Sequence, residues 1–267
     1  MADERRPSDV KVSLLMRMGL IALTLFLVAS GASGPGGTKT TAGPLGAFPR
    51  LTVWAWENPE DLRHLDARRY GVAYLDQTIF ITSRVWSHPR LQRLLVTPDT
   101  RIIAVVRIEA ARTGTEINNP SLPVQVAELI QPSAQKPRTA MLQIDFDATR
   151  SQRPFYINLL REVRKRMPAL MPLSITVLAS WCAADDWLGG LPVDEAVPMF
   201  FRMGPDHPPR DQTGWTYPLR EPLCESSAGI SMDEPWPALK ADKRLYVFHP
   251  GAWTPEAIAE LDAKVKP

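Results

Sequence analysis

Residues 141–155, MLQIDFDATRSQRPF, indicate the fold of this chain more directly than any other stretch. A short apolar run ends in Asp145 and Asp147, and Ser151 and Pro154 then supply a helix N-cap and a first helical turn. Alternate residues of a strand share one face, so the two aspartates should point the same way. We interpret the stretch as a barrel strand whose end faces a binding site and which leads into a helix.

Strand-like segments alternate with helix-like or loop-like segments over the rest of the chain. The strand candidates are residues 51–57, 71–82, 101–110, 139–148, 173–181, 195–204, 227–234 and 244–250. The second candidate could also be two strands joined at Asp76 and Gln77. About eight strands that alternate with helices predict a parallel α/β fold, and they favour a (β/α)8 TIM-type barrel over an open doubly wound sheet.

The predicted helices are fewer than the strands. Apolar stripes predict helices over 123–133 and 155–167, Thr254 should cap a final helix, and 61–69 is expected to be a short helix or a turn. Several strands are followed by short helices or by none, so we expect an irregular barrel. No Gly-x-Gly-x-x-Gly turn follows the first strand, which counts against a dinucleotide-binding fold.

The N-terminal region has the order of a secretory signal. Four basic residues precede the apolar run 19–29, and small residues follow it. The run is shorter than the roughly 20 residues that span a membrane, so residues 1–30 are predicted to be a cleaved signal peptide or, alternatively, a retained membrane anchor. Residues 31–48 are predicted to be a flexible linker, and 49–267 the barrel domain. Both alternatives export the barrel, to the periplasm or the cell exterior, and an anchor would hold it at the inner membrane.

The charge balance and the cysteines narrow the function classes. The 31 Lys and Arg residues nearly balance the 29 Asp and Glu residues, without a basic patch of the kind that binds nucleic acid. Cys182 and Cys224 are the only cysteines, and we expect a disulfide between them, with two buried free thiols as the alternative. No Cys/His metal-ligand spacing is present, so we expect neither a metal ion nor a cofactor.

Polar residues gather at the predicted strand ends, where barrels bind their ligands. Asp147 is the candidate general acid or base, Asp145 would tune its pKa, and Glu109 would be the second carboxylate, as in glycosidases. Arginine and glutamine side chains at these ends would hold substrate hydroxyls, and tryptophans would stack on sugar rings. The candidate substrate-binding residues are Arg107, Gln143, Arg202, Trp56 and Trp181.

Each of these assignments has a structural alternative. The two aspartates could pair with Arg107, Arg150 or Arg202 in a structural cluster. Arg107 and Glu109 could form an internal salt bridge, and the tryptophans of the first strand could be buried in the core. These alternatives stay open at the level of the sequence.

Several stretches between residues 50 and 250 together resemble an uncharacterised bacterial family catalogued as domain of unknown function 3142. The stretches are TVWAWENPEDLRHLD, GVAYL, AVVRIEA, QIDFDATRSQRPFY, LSITVLASWC and LPVDEAVPMFFRMG. This resemblance implies an exported protein with a barrel related to glycoside hydrolases, and it implies no established activity.

The stretch QIDFDATRS is also similar, more distantly, to the fourth-strand motif of chitinase-type glycosidases, Asp-x-x-Asp-x-Asp-x-Glu. Asp145 and Asp147 match the second and third acids of that motif, Leu142 stands at the first, and Thr149 replaces the catalytic glutamate. The resemblance therefore implies a glycoside-hydrolase-like barrel that acts on or binds an envelope or extracellular glycan. The alternatives are a non-catalytic glycan-binding or scaffold module and a hydrolase for another substrate. The expected partner is a carbohydrate ligand, with membrane contact only through an uncleaved N-terminal segment.

Overall fold

The structure is a computed structural model that describes residues 44–111, 116–202, 210–211, 214–215 and 219–265. The predicted signal or anchor segment and most of the predicted linker lie outside these ranges. Within the predicted linker, Pro44–Ala47 forms a 3₁₀ helix. In the part of the chain that is described, no helix is both long enough and apolar enough to cross a membrane.

Eight parallel strands close into a barrel. The strands are β1 (Leu51–Ala55), β2 (Tyr70–Ile81), β3 (Ile102–Ala110), β4 (Thr139–Asp145), β5 (Leu173–Leu178), β6 (Glu195–Met199), β7 (Ser227–Ser231) and β8 (Arg244–Phe248). Each strand pairs in parallel with the next one along the chain, and β8 pairs with β1 to complete the circle. The predicted (β/α)8 TIM-type barrel is confirmed.

The third strand shows why the strands are almost continuously apolar. Val105 faces the barrel interior and packs near Trp54, whereas Val106 faces the layer of helices outside. Both valines are completely buried. A strand with one face in the barrel and the other under helices has no solvent-exposed side over most of its length, so its sequence lacks a polar alternation.

The helical layer is incomplete, as the sequence predicts. The α-helices are α1 (Leu122–Gln135), α2 (Arg153–Arg166), α3 (Ala179–Ala184) and α4 (Pro255–Lys264). They follow β3, β4, β5 and β8, and the described parts of the other connections contain turns, 3₁₀ helices and short strands instead. The further 3₁₀ helices are Glu116–Asn118, Arg150–Gln152 and Pro222–Cys224, and the short strand pairs are Glu60–Asp61 with Leu94–Leu95 and Arg210–Asp211 with Gly214–Trp215. The segment 61–69 forms turns rather than a helix.

The long second strand contains a β-bulge. Its pairing with β3 shifts by one residue between Leu75 and Gln77, so that Asp76 is the extra residue. The sequence allowed one strand or two at this place, and the structure has one strand with the bulge. Beyond the bulge the strand continues past the barrel rim and pairs antiparallel with a hairpin strand, Val85–Pro89.

The helical segment that follows β4 begins two residues earlier than predicted, with a 3₁₀ helix at Arg150–Gln152. Thr149, rather than Ser151, caps the 3₁₀ helix that leads into α2, and its backbone N donates to Oε1 of Gln152 at 2.9 Å. Pro154 lies in the first turn of α2, as predicted. At the C-terminal helix the predicted cap is present, because the Thr254 side chain accepts a hydrogen bond from the backbone N of Ala257 at 3.3 Å.

A disulfide joins Cys182 and Cys224, which confirms the predicted pair. It links α3 to the 3₁₀ helix Pro222–Cys224, and both cysteines are completely buried. The bond connects residues that are 42 positions apart, and a loop of that length gives a stabilisation of roughly 3–4 kcal/mol by restricting the unfolded chain.

A buried polar cluster fills the N-terminal end of the barrel. The Glu195 carboxylate has no exposed surface, and it accepts hydrogen bonds from Ser227, from Arg244 and, at 2.8 Å, from the Tyr246 hydroxyl. Arg244 also donates to the carbonyl oxygen of Leu45 at 3.0 Å. Burial, together with the nearby Glu195 charge, raises the pKa of Tyr246 well above its usual value. The cluster closes this end of the barrel and leaves the opposite end as the place for a ligand.

Replacement of Glu195 by alanine should destabilise the protein strongly, because it would leave the Arg244 guanidinium buried without its anion. We expect the free energy of unfolding to fall by about 3–5 kcal/mol in urea titrations. The control is Glu162→Ala, which removes ion pairs on the surface of α2 and should cost less than about 1 kcal/mol. Equal losses for the two variants would contradict the structural role given to the cluster.

Candidate functional site

A cleft of about 450 Å³ opens at the carboxyl ends of the strands. Seven of the eight barrel strands contribute side chains at or just beyond their ends, and β7 is the exception. The side chains form three groups: a set of charged residues on β3 and β4, an aromatic floor, and aromatic residues around the rim. The position agrees with the general rule that barrel ligands bind at this end.

The charged group is centred on Arg107. Its Nη1 donates to Oδ2 of Asp145 at 3.0 Å, and its Nε donates to Oε1 of Glu109 at 3.0 Å. Thr176 Oγ1 donates to the other oxygen of Asp145 at 2.6 Å. Burial alone lowers the pKa of Arg107, but the charges of Asp145, Glu109 and Asp147 outweigh it and raise that pKa above its usual value. Asp145 and Glu109 are therefore tied to one permanent cation.

The two aspartates of the opening stretch differ in environment. Asp145 is buried at the end of β4, whereas Asp147 is exposed two residues further on. Asp147 lines the cleft together with Glu109, and both also line a smaller, polar pocket of about 190 Å³ beside it, to which Gln152 contributes. Of the two aspartates, Asp147 has the more accessible carboxylate for a ligand.

The floor of the cleft is the indole of Trp54, which is almost completely buried. Its Nε1 donates to Oε1 of Gln143 at 2.9 Å, and Gln143 Nε2 donates to Ser174 at 3.1 Å. A Cβ on Gly229 would lie only 3.0 Å from Cη2 of Trp54, so glycine leaves the space that the indole needs. Gln143 has no exposed surface and lies below the floor. Gln143 therefore holds the Trp54 indole in place and does not line the cleft. This position corrects the predicted role of Gln143 in substrate binding.

Aromatic side chains and a second arginine form part of the rim. Trp56 is half-buried, and the Arg107 guanidinium lies over its ring at 5.7 Å. On the other side, Phe248 stacks on Phe201 with ring centroids 5.7 Å apart, and the Arg202 guanidinium lies 4.6 Å from the Phe248 ring. Trp56 and Arg202 thus lie in the cleft, as the sequence predicts.

Arg202 has an unusual backbone conformation. Its φ of 50° is in the left-handed region, which residues other than glycine seldom adopt. The backbone N of Arg202 donates to Oε1 of Glu234 at 2.9 Å, and its guanidinium is 3.9 Å from the Asp233 carboxylate. These contacts hold the side chain at the rim, where strained residues are often functional.

Trp181 lies away from the cleft. The fifth strand ends at Leu178, three residues before its predicted end, and α3 begins at once. The helix places Trp181 in the outer layer, where it is 4% exposed, packs edge-on against Trp187 at 5.0 Å and lies 5.7 Å from the Arg153 guanidinium. The structure corrects the predicted position of Trp181, because a ring in that layer cannot stack on a ligand in the cleft.

The cleft residues that were not identified from the sequence include Phe80, His88, Thr176 and Phe248. The alternation of inward-facing and outward-facing residues along a strand would have identified Thr176 and Phe248, because both face the barrel interior. No local signal points to His88, because its place in the cleft depends on the hairpin after β2. Within the described ranges, no three His, Cys, Asp or Glu side chains are grouped so that they could hold a metal ion.

The fold and the cleft define the class of protein: a closed (β/α)8 barrel with a charged and aromatic cleft at the carboxyl ends of its strands. The model of the family described as "Domain of unknown function (DUF3142)" matches residues 99–198, which confirms the resemblance seen in the sequence. The matched region contains Arg107, Glu109, Asp145 and Asp147, but not Trp56 or Phe248.

One similar solved structure is a GH18 chitinase from Pseudoalteromonas aurantia. It is 12% identical in sequence, with a TM-score of 0.46, and the similarity covers 74% of this chain and 93% of the chitinase chain. No curated protein matches the chain significantly.

Substitution by asparagine should lower the free energy of unfolding more at Asp145 than at Asp147. Asp145→Asn leaves Arg107 without one of its anions in a partly buried place, so we expect the free energy of unfolding to fall by about 2 kcal/mol. Asp147→Asn changes an exposed carboxylate and should cost less than about 1 kcal/mol. Urea unfolding of both variants measures the difference. A larger loss for Asp147→Asn than for Asp145→Asn would contradict the assignment of Asp145 as the structural member of the pair.

Proposed function

We propose that this protein is an exported, glycoside-hydrolase-like barrel that binds an envelope or extracellular glycan in the cleft. The observation that carries the proposal is the combination of aromatic faces and fixed charges in one open cavity. Aromatic rings such as Trp56 and Phe80 suit the apolar C–H faces of sugar rings. Arg107 and the carboxylates around it offer charge-assisted hydrogen bonds to hydroxyl groups.

Export is supported by the disulfide between Cys182 and Cys224, since such bonds persist mainly in oxidising compartments. It is also consistent with the signal-like order of the N-terminal residues. A glycan of the cell envelope or of the surroundings would be the ligand available there.

Binding without cleavage is the first candidate mechanism, and it rests on Thr149. This residue occupies the place at which the chitinase-type motif has its catalytic glutamate. The Thr149 hydroxyl shares a hydrogen bond of 3.1 Å with the Ser151 hydroxyl, and the backbone N of Thr149 donates to Oε1 of Gln152. A cap residue with no ionisable group cannot protonate a leaving oxygen, so the chain lacks the expected general acid at this position.

Hydrolysis is the second candidate, and the exposure of Asp147 and Glu109 favours it. Both carboxylates line the cleft from neighbouring strands, so a sugar unit could be approached by two acids. In this mechanism Asp147 would donate a proton to the glycosidic oxygen, and Glu109 would activate water or attack the sugar. Asp145 would act indirectly by holding Arg107.

A glycan panel tests the proposal with the full-length protein, using calorimetry for binding and reducing-end release for cleavage. We expect saturable binding of at least one glycan without release of reducing ends, and about tenfold weaker binding by Trp56→Ala. Asp66→Asn, which changes an exposed aspartate outside the cleft, is the matched control for Asp147→Asn.

The outcomes separate the candidates. Cleavage that is lost in Asp147→Asn and retained in Asp66→Asn would establish the hydrolytic mechanism instead of binding alone. A panel that includes peptidoglycan and exopolysaccharides and gives neither binding nor cleavage would contradict the proposed function.

A further inference from the structure

A wall of three strands rises above the barrel rim beside the cleft. It consists of the end of β2 from Gln77 to Ile81, the hairpin strand Val85–Pro89 and the end of β3 from Val106 to Ala110. The cross-strand pairing of these strands places two rows of side chains on the side of the wall that faces the cleft. His88, Thr78 and Arg107 form the lower row, and the upper row is Trp86, Phe80 and Glu109.

The outer face of this wall is fixed to the body of the protein. Ile79 and Ile81 are buried in the cluster that includes Val126 and Ile130 of α1. Gln77 Nε2 donates to the carbonyl oxygen of Leu129 and to Ser133 Oγ, both at 2.8 Å. The inner face of the wall is therefore held rigidly towards the cleft.

The hairpin is also fastened on its other side by Arg90, which directly follows the hairpin strand. The backbone N of Arg90 donates to the carbonyl oxygen of Asp76 at 2.9 Å. Its guanidinium donates to the carbonyl oxygens of Trp56, Asn58 and, at 2.9 Å, Gln92. The loop that carries Trp56 and the hairpin that carries Trp86 are thereby joined.

Trp86 exposes its ring at the outer end of the upper row. The ring is 39% exposed and stacks on Phe80 with centroids 4.4 Å apart and planes within 18°. Phe80 itself lines the cleft and covers one face of the Trp86 indole, so the stacked pair continues from the cleft wall outward and ends in the exposed part of the Trp86 ring. The ring of His88 meets Trp86 edge-on at 6.5 Å and adds a polar group beside that surface.

We infer that Trp86 and Phe80 form an additional sugar-binding subsite, at which one pyranose ring of a glycan stacks while neighbouring units occupy the main cleft. This inference rests on the proposed function and specifies the ligand as an oligosaccharide rather than a single sugar. The exposed Trp86 ring, with the His88 imidazole beside it, matches a sugar ring that has a C–H face and a rim of hydroxyl groups.

The spacing of the strands explains why the subsite needs a longer ligand. Trp86 is two strand spacings from Glu109, or roughly 10 Å across the wall. One sugar unit that contacts the carboxylates of β3 and β4 cannot also cover the Trp86 ring. The contribution of the subsite should therefore appear only when the chain of sugars is long enough to reach it.

The test compares affinity with ligand length. The full-length protein is titrated calorimetrically with cello-oligosaccharides and chito-oligosaccharides, each from disaccharide to hexasaccharide. Wild-type affinity should increase with length. Trp86→Ala should weaken binding of the longest oligomers about three- to tenfold and leave disaccharide binding unchanged. Trp86→Phe keeps an aromatic face and should retain most of the gain.

Leu170→Ala is the matched control, because Leu170 is an exposed apolar residue that does not line the cleft. It should behave as wild type at every length. Equal affinities of Trp86→Ala and wild type for all oligomers, or an equal loss at all lengths, would overturn the subsite while the proposed function stands. Where the wild-type protein binds neither series, fragments of increasing length of the glycan that binds in the panel above replace them. An absence of binding to every glycan of that panel contradicts the proposed function and the subsite with it.

Discussion

The ion pair between Arg107 and Asp145 is the interaction on which the cleft depends. It joins β3 to β4 at the point where both strands leave the barrel, and Thr176 extends the connection to β5. A guanidinium in a partly buried place needs anions, and its position fixes where the carboxylates of Asp145 and Glu109 can lie. The same cation lies over Trp56, so the charged group and the aromatic rim are positioned together.

Charged side chains are enclosed at the N-terminal end of the barrel and partly accessible at the carboxyl end. At the N-terminal end, the Glu195 carboxylate is enclosed and accepts its hydrogen bonds from Arg244 and Tyr246 within the protein. At the carboxyl end, the charged group is only partly enclosed, and Asp147 and Glu109 remain accessible. The wall that carries Phe80 and Trp86 enlarges this open end. One end therefore stabilises the fold, and the other is available for a ligand.

Sequence periodicity predicts those features that depend on the strands themselves. The alternation that places Asp145 and Asp147 on one side also places Ile144 and Phe146 against the helices, as the structure has them. The disulfide between Cys182 and Cys224 follows from their being the only cysteines of a chain with a signal-like N-terminus. The facing of the β4 residues needs only the rule that alternate residues of a strand face opposite sides, and the disulfide needs only the cysteine count and an oxidising compartment.

The parts of the site that could not be predicted depend on where strands end and on long-range contacts. Gln143 shares the face of Asp145, but its depth in the barrel is set by the bond to Trp54, which is 89 residues away in the chain. Trp181 leaves the cleft because β5 ends early and α3 turns it outward. Trp86 and His88 reach the rim only through the hairpin after the bulge at Asp76.

A crystal structure of the full-length protein with the tightest-binding oligosaccharide shows directly whether the cleft is the glycan site. We expect sugar rings in the cleft, with hydroxyl groups bonded to Arg107, Glu109 or Asp147 and a ring face against an aromatic side chain of the rim. A sugar bound elsewhere on the barrel, with the cleft occupied only by solvent, would contradict this expectation.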